Sequence, residues 1–89
     1  MKVSVELFGA ARDFSNKPHI DFELIENSSI GDLREKMIKF IEIKFNGNEN
    51  YKKIISSSAF CSSDDKIVSD NYKIDKNQNF SIIPPIGGG

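Results

Sequence analysis

The group in this sequence with the clearest route to covalent chemistry is the carboxylate of Gly89. Three consecutive glycines, Gly87-Gly88-Gly89, follow Ile86. Because glycine has no Cβ, a nucleophile can approach the terminal carbonyl and the chain can pass through a narrow channel. Fully extended, residues 86–89 reach about 13 Å beyond Pro85, enough to enter a partner's active site. A carboxylate is a poor electrophile, so we expect group transfer only after another protein activates it as a mixed anhydride with a nucleotide.

The diproline Pro84-Pro85 separates these glycines from the rest of the chain. Proline lacks an N–H donor and cannot continue a central strand, so the sheet is expected to end at Ile83 and to lead into a stiff tail base. The alternative is a frayed end without function, which is common at termini. We predict a folded domain over residues 1–85 and a flexible glycine tail over residues 86–89.

Other side chains do not form a catalytic or metal-binding pattern. His19 follows a proline at a strand entry with no nucleophile beside it in sequence, which favours a structural or surface role. Cys61 is the only cysteine, so neither an internal disulfide nor a cysteine metal cluster can form, and its apolar surroundings are typical of a packed thiol. Asp64 and Asp65 are adjacent on a turn and lack a third ligand. We expect no metal site and no bound cofactor.

Alternating apolar and polar residues predict the strands that must position the tail. Two N-terminal strands are expected to pair as a hairpin, and short strands follow in the second half of the chain. The predicted strands cover residues 2–8, 20–24, 59–61, 66–68 and 80–83. Turns are expected at residues 62–65 and 75–78, and residues 51–55 are compatible with one helical turn.

One main helix is predicted to begin at Ile30. Ser29 and Asp32 have capping-box spacing, which places a carboxylate in the first turn where the helix dipole favours it. Apolar residues then recur at spacings of three and four through residue 45, and Arg34 falls with the charged residues expected to face solvent. The element order predicts an α+β domain with one helix packed across a mixed sheet.

Composition limits the possible classes of function. The chain has 89 residues and a net charge of −1, which fits one small domain without a basic face for nucleic acid. No apolar run approaches the roughly 18 residues of a membrane span, and no signal-peptide core follows Met1. A cytoplasmic protein that binds neither nucleic acid nor membrane is expected.

The C-terminal sequence Pro84-Pro85-Ile86-Gly87-Gly88-Gly89 resembles the PP-x-x-GG ending of the molybdopterin synthase small subunit. That subunit is the MoaD branch of the MoaD/ThiS ubiquitin-like sulfur carriers. In this register Ile86 and Gly87 occupy variable positions, and Gly88-Gly89 is the functional pair. Residues 7–13 resemble the family's first strand and following loop, and residues 29–33 its helix start. The resemblance is weakest over residues 46–58. It implies a ubiquitin-like β-grasp fold in which the last strand lies beside the first, so that the tail leaves from an edge of the sheet.

The resemblance also implies a reaction. An E1-like adenylyltransferase would adenylate Gly89 with ATP, and a sulfur donor would convert the acyl-adenylate into a C-terminal thiocarboxylate. The tail would then insert into the large subunit of molybdopterin synthase and give its sulfur to a cyclic pyranopterin precursor of the molybdenum cofactor. Family members assemble as a heterotetramer of two small and two large subunits. The catalytic acid and base would belong to the large subunit.

Several residues are candidates for partner binding. Phe8 and Ile83 fall outside the inward-facing sets of their strands, and with Ile86 they are candidates for an exposed apolar face. The alternative is irregular core packing near a strand end. Arg12 matches a basic position of the family motif, where it could contact a partner or support the loop. We assign the rest of the tail to the same contact, namely Pro84, Pro85 and Gly87.

Three other interpretations remain open. A sulfur carrier for thiamine synthesis would share the fold and the last two glycines, although such carriers tend to be shorter and to lack the diproline. A ubiquitin-like modifier would pass the activated glycine to a lysine. A plain β-grasp binding module would have a tail without chemistry.

Overall fold

The computed structural model describes residues 1–85 of the chain. In this region the main sheet has five strands. Its strands are β1 (Lys2–Leu7), β2 (His19–Glu23), β4 (Ala59–Ser62), β5 (Ile67–Val68) and β7 (Gln78–Ile83). A separate two-stranded ladder joins β3 (Ser28–Ser29) to β6 (Lys73–Ile74). The helices are α1 (Ile30–Lys44), α2 (Glu49–Ser57) and a 3₁₀ helix at Gly9–Phe14.

The strand order of the main sheet is β2-β1-β7-β4-β5. Strands β1 and β2 pair antiparallel, which confirms the predicted hairpin. Strand β7 pairs parallel with β1, as the resemblance implied, and antiparallel with β4. Strand β7 is the third of these five strands and is therefore the central strand. The expectation that the tail base leaves from an edge of the sheet was therefore wrong, since Pro84 continues from the end of the central strand.

Helix α1 begins at Ile30, as predicted from its capping box. The Ser29 hydroxyl accepts a hydrogen bond from the Asp32 N–H at 3.1 Å, and the Asp32 carboxylate accepts one from the Ser29 N–H at 2.9 Å. The second bond is the main reason why the pKa of Asp32 lies below its usual value. Two of the four free N–H groups around this helix start are thus satisfied locally.

One face of α1 packs against the sheet, as the spacing of its apolar residues predicted. Ile30, Leu33, Met37 and Ile41 are buried with inward-facing residues of the central strands. The residues of those strands are Val3, Val5, Leu7, Phe60, Phe80 and Ile82. The opposite face of the sheet carries the alternate side chains and is not covered by either helix. We call it the open face.

Two regions differ from the sequence-based expectation. The predicted polar connection after β1 contains the 3₁₀ helix, whose Ala11 and Phe14 are buried. The single turn expected at residues 51–55 is the nine-residue helix α2, and the Asn48 side chain caps its start by accepting a hydrogen bond from the Tyr51 N–H. No helix within residues 1–85 combines the length and the apolar character needed to span a membrane.

Candidate functional site

The base of the predicted tail lies at the end of the central strand of the sheet. Pro84 follows the last residue of β7, and the chain turns immediately after β1 at Gly9 beside it. Gly9 has a φ of +55°, a conformation that favours glycine, and a Cβ at this position would lie 3.9 Å from the Pro84 ring. The remaining tail residues, Ile86, Gly87, Gly88 and Gly89, lie outside the described residues, and their predicted roles stay predictions.

Two apolar side chains are exposed next to the tail base. Phe8 is 39% exposed and Ile83 is 38% exposed. Ile83 pairs with Ala59 of β4 in the sheet register, so Ile83 and Ala59 lie on the open face. They are at the end of the sheet from which the tail base leaves. The Phe8 and Ile83 side chains are therefore partly accessible to a partner at the surface. Partner binding by Phe8 and Ile83 stays a prediction.

A groove lies on the other side of the diproline. It has a volume of about 780 Å³. The 3₁₀ helix contributes Ala10 to its lining, the tail base contributes Pro84 and Pro85, and α2 contributes the remaining residues, which are Asn50, Lys53, Ile54, Ser56 and Ser57. Helix α2 is therefore a structural neighbour of the tail base. The sequence contained no motif for this contact, because it depends on how α2 packs in three dimensions.

Arg34 holds the C-terminal end of α2 in place. Its guanidinium donates hydrogen bonds to the backbone oxygens of Ile55 at 2.7 Å and Ser58 at 2.8 Å. It also donates to the Asp70 carboxylate at 2.7 Å, and its carbon lies 5.0 Å from the centre of the Phe60 ring. The sequence-based expectation that Arg34 faces solvent was wrong, because its side chain is only 17% exposed. The cation occupies a position where the last carbonyls of a helix favour positive charge.

Arg12 is exposed in the last turn of the 3₁₀ helix. It has no ion pair with any residue between 1 and 85. This arrangement is compatible with contact to a partner. Among residues 1–85, no ion pair of Arg12 stabilises its loop. Partner binding by Arg12 stays a prediction.

The other candidate side chains do not converge on a reactive centre. His19 is about half exposed on an outer strand, and its Nε2 lies 3.9 Å from Asp21. Cys61 is partly buried in β4, in register with Ser81 on the open face. Asp64 accepts a hydrogen bond from the Ser62 hydroxyl, which keeps the pKa of its carboxyl below the usual value. Within residues 1–85 no group of three potential ligands could hold a metal ion.

Comparison with known proteins identifies the fold. No model of a known protein family matches the chain, and a search of curated proteins finds no match. Among solved structures, SAMP1 from Haloferax volcanii is similar with a TM-score of 0.70 at 11% identity, covering 100% of both chains. A putative molybdopterin converting factor subunit 1 from Pyrococcus furiosus has a TM-score of 0.70 at 22% identity, covering 96% of this chain and 98% of the other.

A third similar structure is a complex of subunits 1 and 2 of the molybdopterin-converting factor from Helicobacter pylori. Its TM-score is 0.62 at 19% identity, with 100% of both chains covered. At these identities the likeness shows the fold alone. It confirms the expected α+β architecture, a ubiquitin-like β-grasp with one main helix packed across a mixed sheet. The names of these structures agree with the family that the sequence resembles.

Proposed function

We propose that this chain is a ubiquitin-like sulfur carrier of the MoaD/ThiS family and acts as the small subunit of molybdopterin synthase. The observation that carries the proposal is a PP-x-x-GG sequence placed directly after the central strand of a β-grasp fold. Support also comes from the similar structures, two of which are named as subunit 1 of a molybdopterin converting factor or as its complex with subunit 2.

The proposed reaction uses the Gly89 carboxylate as the carrier group. A carboxylate oxygen attacks the α-phosphorus of ATP in an E1-like adenylyltransferase, and pyrophosphate leaves. A sulfur donor then supplies a sulfide equivalent that attacks the acyl carbon, and AMP leaves. The product is a C-terminal thiocarboxylate. ATP is a substrate of the activating enzyme and is not held by this chain.

In the second stage the thiocarboxylate enters the large subunit of molybdopterin synthase, where its sulfur attacks a carbon of a cyclic pyranopterin, displaces an oxygen substituent and forms a thioester. Water then attacks the acyl carbon and breaks the acyl C–S bond, so the sulfur stays on the pyranopterin and the Gly89 carboxylate is restored. Each dithiolene needs two sulfur atoms, which fits a heterotetramer with two small and two large subunits. The acid and base groups belong to the large subunit in this scheme, and the proposed place of action is the cytoplasm.

Each part of the site has a distinct role in this proposal. Gly88 gives clearance around the reacting carbonyl because it has no Cβ. Pro84 and Pro85 restrict the backbone at the base of the tail, so less conformational entropy is lost when a partner binds it. Phe8 and Ile83 supply exposed apolar area next to the tail base. Burying this area against a partner would remove it from water and favour binding. Ile86, Gly87 and Arg12 are assigned to the same partner contact.

Intact mass measurement tests the proposal. Incubation with an E1-like adenylyltransferase, ATP and a sulfur source should add about 16 Da, because one oxygen is replaced by sulfur. Deletion of Gly89, or addition of one residue after it, should abolish the mass change without altering the circular dichroism spectrum. An unchanged wild-type mass under conditions that load a known carrier would contradict sulfur transfer and favour a simple binding module.

Conjugation to other proteins, as a ubiquitin-like modifier, is the second candidate function, and the likeness to SAMP1 favours it. Two of the similar structures are Haloferax volcanii SAMP1, and one of them is described as a small archaeal modifier protein. In that function the activated Gly89 would form an amide with a lysine of another protein. Conjugates with the added mass of the carrier would then appear in cells and would disappear when Gly89 is deleted.

A thiamine carrier would instead be loaded by the same chemistry and would restore thiamine synthesis, not molybdenum cofactor synthesis, in a carrier-deficient strain.

A further inference from the structure

One face of helix α2 forms a wall of the groove that lies beside the diproline. The residues of this face recur at helical spacing, and they are Asn50, Lys53, Ile54 and Ser57. From the first to the last of them the face is about 10 Å long, at the usual rise per helical residue. The groove has a volume of about 780 Å³, which is within the range of sites that bind small ligands. We call it the diproline groove.

Apolar groups from three segments of the chain meet in the diproline groove. Pro84 and Pro85 come from the tail base, Ala10 comes from the 3₁₀ helix, and Ile54 comes from α2. Ile54 packs against the core with part of its side chain and is half-buried. Apolar surface that remains in contact with water is stabilised when another apolar side chain covers it. The groove therefore favours an apolar occupant.

The chain supplies an apolar side chain directly beside this groove. Ile86 follows Pro85, which is itself a lining residue. Fully extended, residues 86–89 span about 13 Å, which exceeds the length of the α2 face of about 10 Å. The three glycines accept backbone angles of either sign, so this segment can follow the surface of the helix. Residues 86–89 are thus long enough to cover the groove from the diproline onward.

The charges of α2 set the direction in which this segment can bind. Ala59, two residues after the end of α2, pairs with Ile83, so the diproline lies near the C-terminal end of the helix. That end repels a carboxylate, because the last carbonyl groups carry partial negative charge. Lys53 lies one turn earlier, is exposed and has no ion pair with any residue between 1 and 85. The described lining contains no carboxylate, and Glu49 is paired with Lys52 at 3.4 Å.

We propose that residues 86–89 bind in the diproline groove of their own chain when no partner is present. The Ile86 side chain covers Ala10 and Ile54, and the Gly89 carboxylate lies near the ammonium group of Lys53. This contact goes beyond the proposed function, because it belongs to the free protein and needs no enzyme. A partner that takes up the tail must compete with the groove, so its apparent affinity falls in proportion to the fraction of molecules whose tail is released.

NMR spectroscopy of the free chain tests the proposal. The methyl resonances of Ile86 are identified by comparison with the spectrum of Ile86→Val. We expect nuclear Overhauser contacts from these methyl groups to the methyl groups of Ile54 and Ala10. Contacts restricted to the sequence neighbours Pro85 and Gly87 would overturn the proposal. Contacts that strengthen as the protein concentration rises from about 0.05 to about 0.5 mM would also overturn it, because they would place the tail of a second copy in the groove.

Charge reversal with a matched control tests the part assigned to Lys53. The test variant is Lys53→Glu, and the control is Lys39→Glu on α1, which is also exposed and gives the same change in net charge. The contact between Ile86 and Ile54 should weaken at least about 2-fold in the test variant, because attraction of the carboxylate becomes repulsion, and it should stay unchanged in the control. Lys53→Gln should give an intermediate intensity, and amide spectra should show that each variant is folded. Equal intensities in the test and control variants would overturn the proposal, since the tail would then not lie along this face of α2.

These measurements separate the groove contact from sulfur transfer, because they use the free chain without ATP or an activating enzyme. A chain that gains about 16 Da on loading but shows no contact between Ile86 and Ile54 would overturn the groove contact and leave the proposed function standing. A chain that shows the contact but cannot be loaded would support the groove contact and contradict the proposed function.

Discussion

Replacement of Arg34 by Met should destabilise the protein and loosen α2. The side chain connects α1 to elements that are far away in sequence, namely the end of α2 and the loop containing Asp70. Methionine has a similar length and high helix propensity, so α1 itself should remain intact. The substitution removes every hydrogen bond of the guanidinium and leaves two carbonyl oxygens without this donor.

The expected loss is about 3 kcal/mol in the free energy of unfolding. Each bond from the charged donor to a backbone oxygen contributes about 1.5 kcal/mol. The contact with Asp70 adds only about 0.5 kcal/mol, because that carboxylate is 56% exposed and water screens it. The Phe60 ring adds about 0.5 kcal/mol more through its contact with the cation. Part of this loss is offset, because the substitution also removes the cost of holding a partly buried charge. That cost includes the Nε atom of Arg34, which is buried without a hydrogen-bond partner.

Urea denaturation followed by circular dichroism measures this loss, with Lys39→Met as the control on the same helix. The control residue is exposed, so its substitution should change stability by less than about 0.5 kcal/mol. Amide hydrogen exchange should become faster in α2 of Arg34→Met than in β1 or β7. A loss below about 1 kcal/mol, or exchange that is unchanged in α2, would refute the idea that Arg34 fixes this helix.

The remaining predictions concern the capping box, acid stability and the thiol. Ser29→Ala should reduce stability by about 1 kcal/mol in urea denaturation, because the Asp32 N–H loses its acceptor; an unchanged midpoint would contradict this. The pKa values of Asp32 and Asp64 lie below their usual range in the folded state. Their stabilisation is therefore present above pH about 4 and is lost as the pH falls through the folded pKa, so a titration of stability that is flat below pH 4 would be inconsistent with these shifts. Cys61→Ser should still gain about 16 Da on loading, because the proposed sulfur is carried by the terminal acyl group; a folded variant that cannot be loaded would implicate the thiol.

Local patterns in the sequence predicted most of the secondary structure. The hairpin follows from alternation along β1 and β2, and the start of α1 follows from the spacing of Ser29 and Asp32. Both depend on interactions within a few residues or between adjacent elements. The ladder between β3 and β6 was not predicted, because Ser28–Ser29 has no apolar residue, Lys73–Ile74 has only one, and the two segments are brought together only by the fold.

The candidate site was predicted in part. The exposure of Phe8 and Ile83 could be inferred because each departs from the inward alternation of its strand. Arg34 was misplaced because its position on the helix borders the apolar stripe, and its partners are 21, 24 and 36 residues away. Sequence spacing on one helix cannot show which carbonyl groups another helix will bring to it.

The sequence by itself determined the chemistry that this protein can offer. It has three C-terminal glycines after a diproline, and it shows no other cluster of residues with a catalytic pattern. Those features are local and survive in the unfolded chain. Only the tertiary structure decided where that chemistry is presented, because pairing β7 with both β1 and β4 makes it the central strand and brings Pro84 against Gly9. Such placement depends on contacts between residues far apart in the chain, which exist only when hydrophobic burial has brought the strands and helices together.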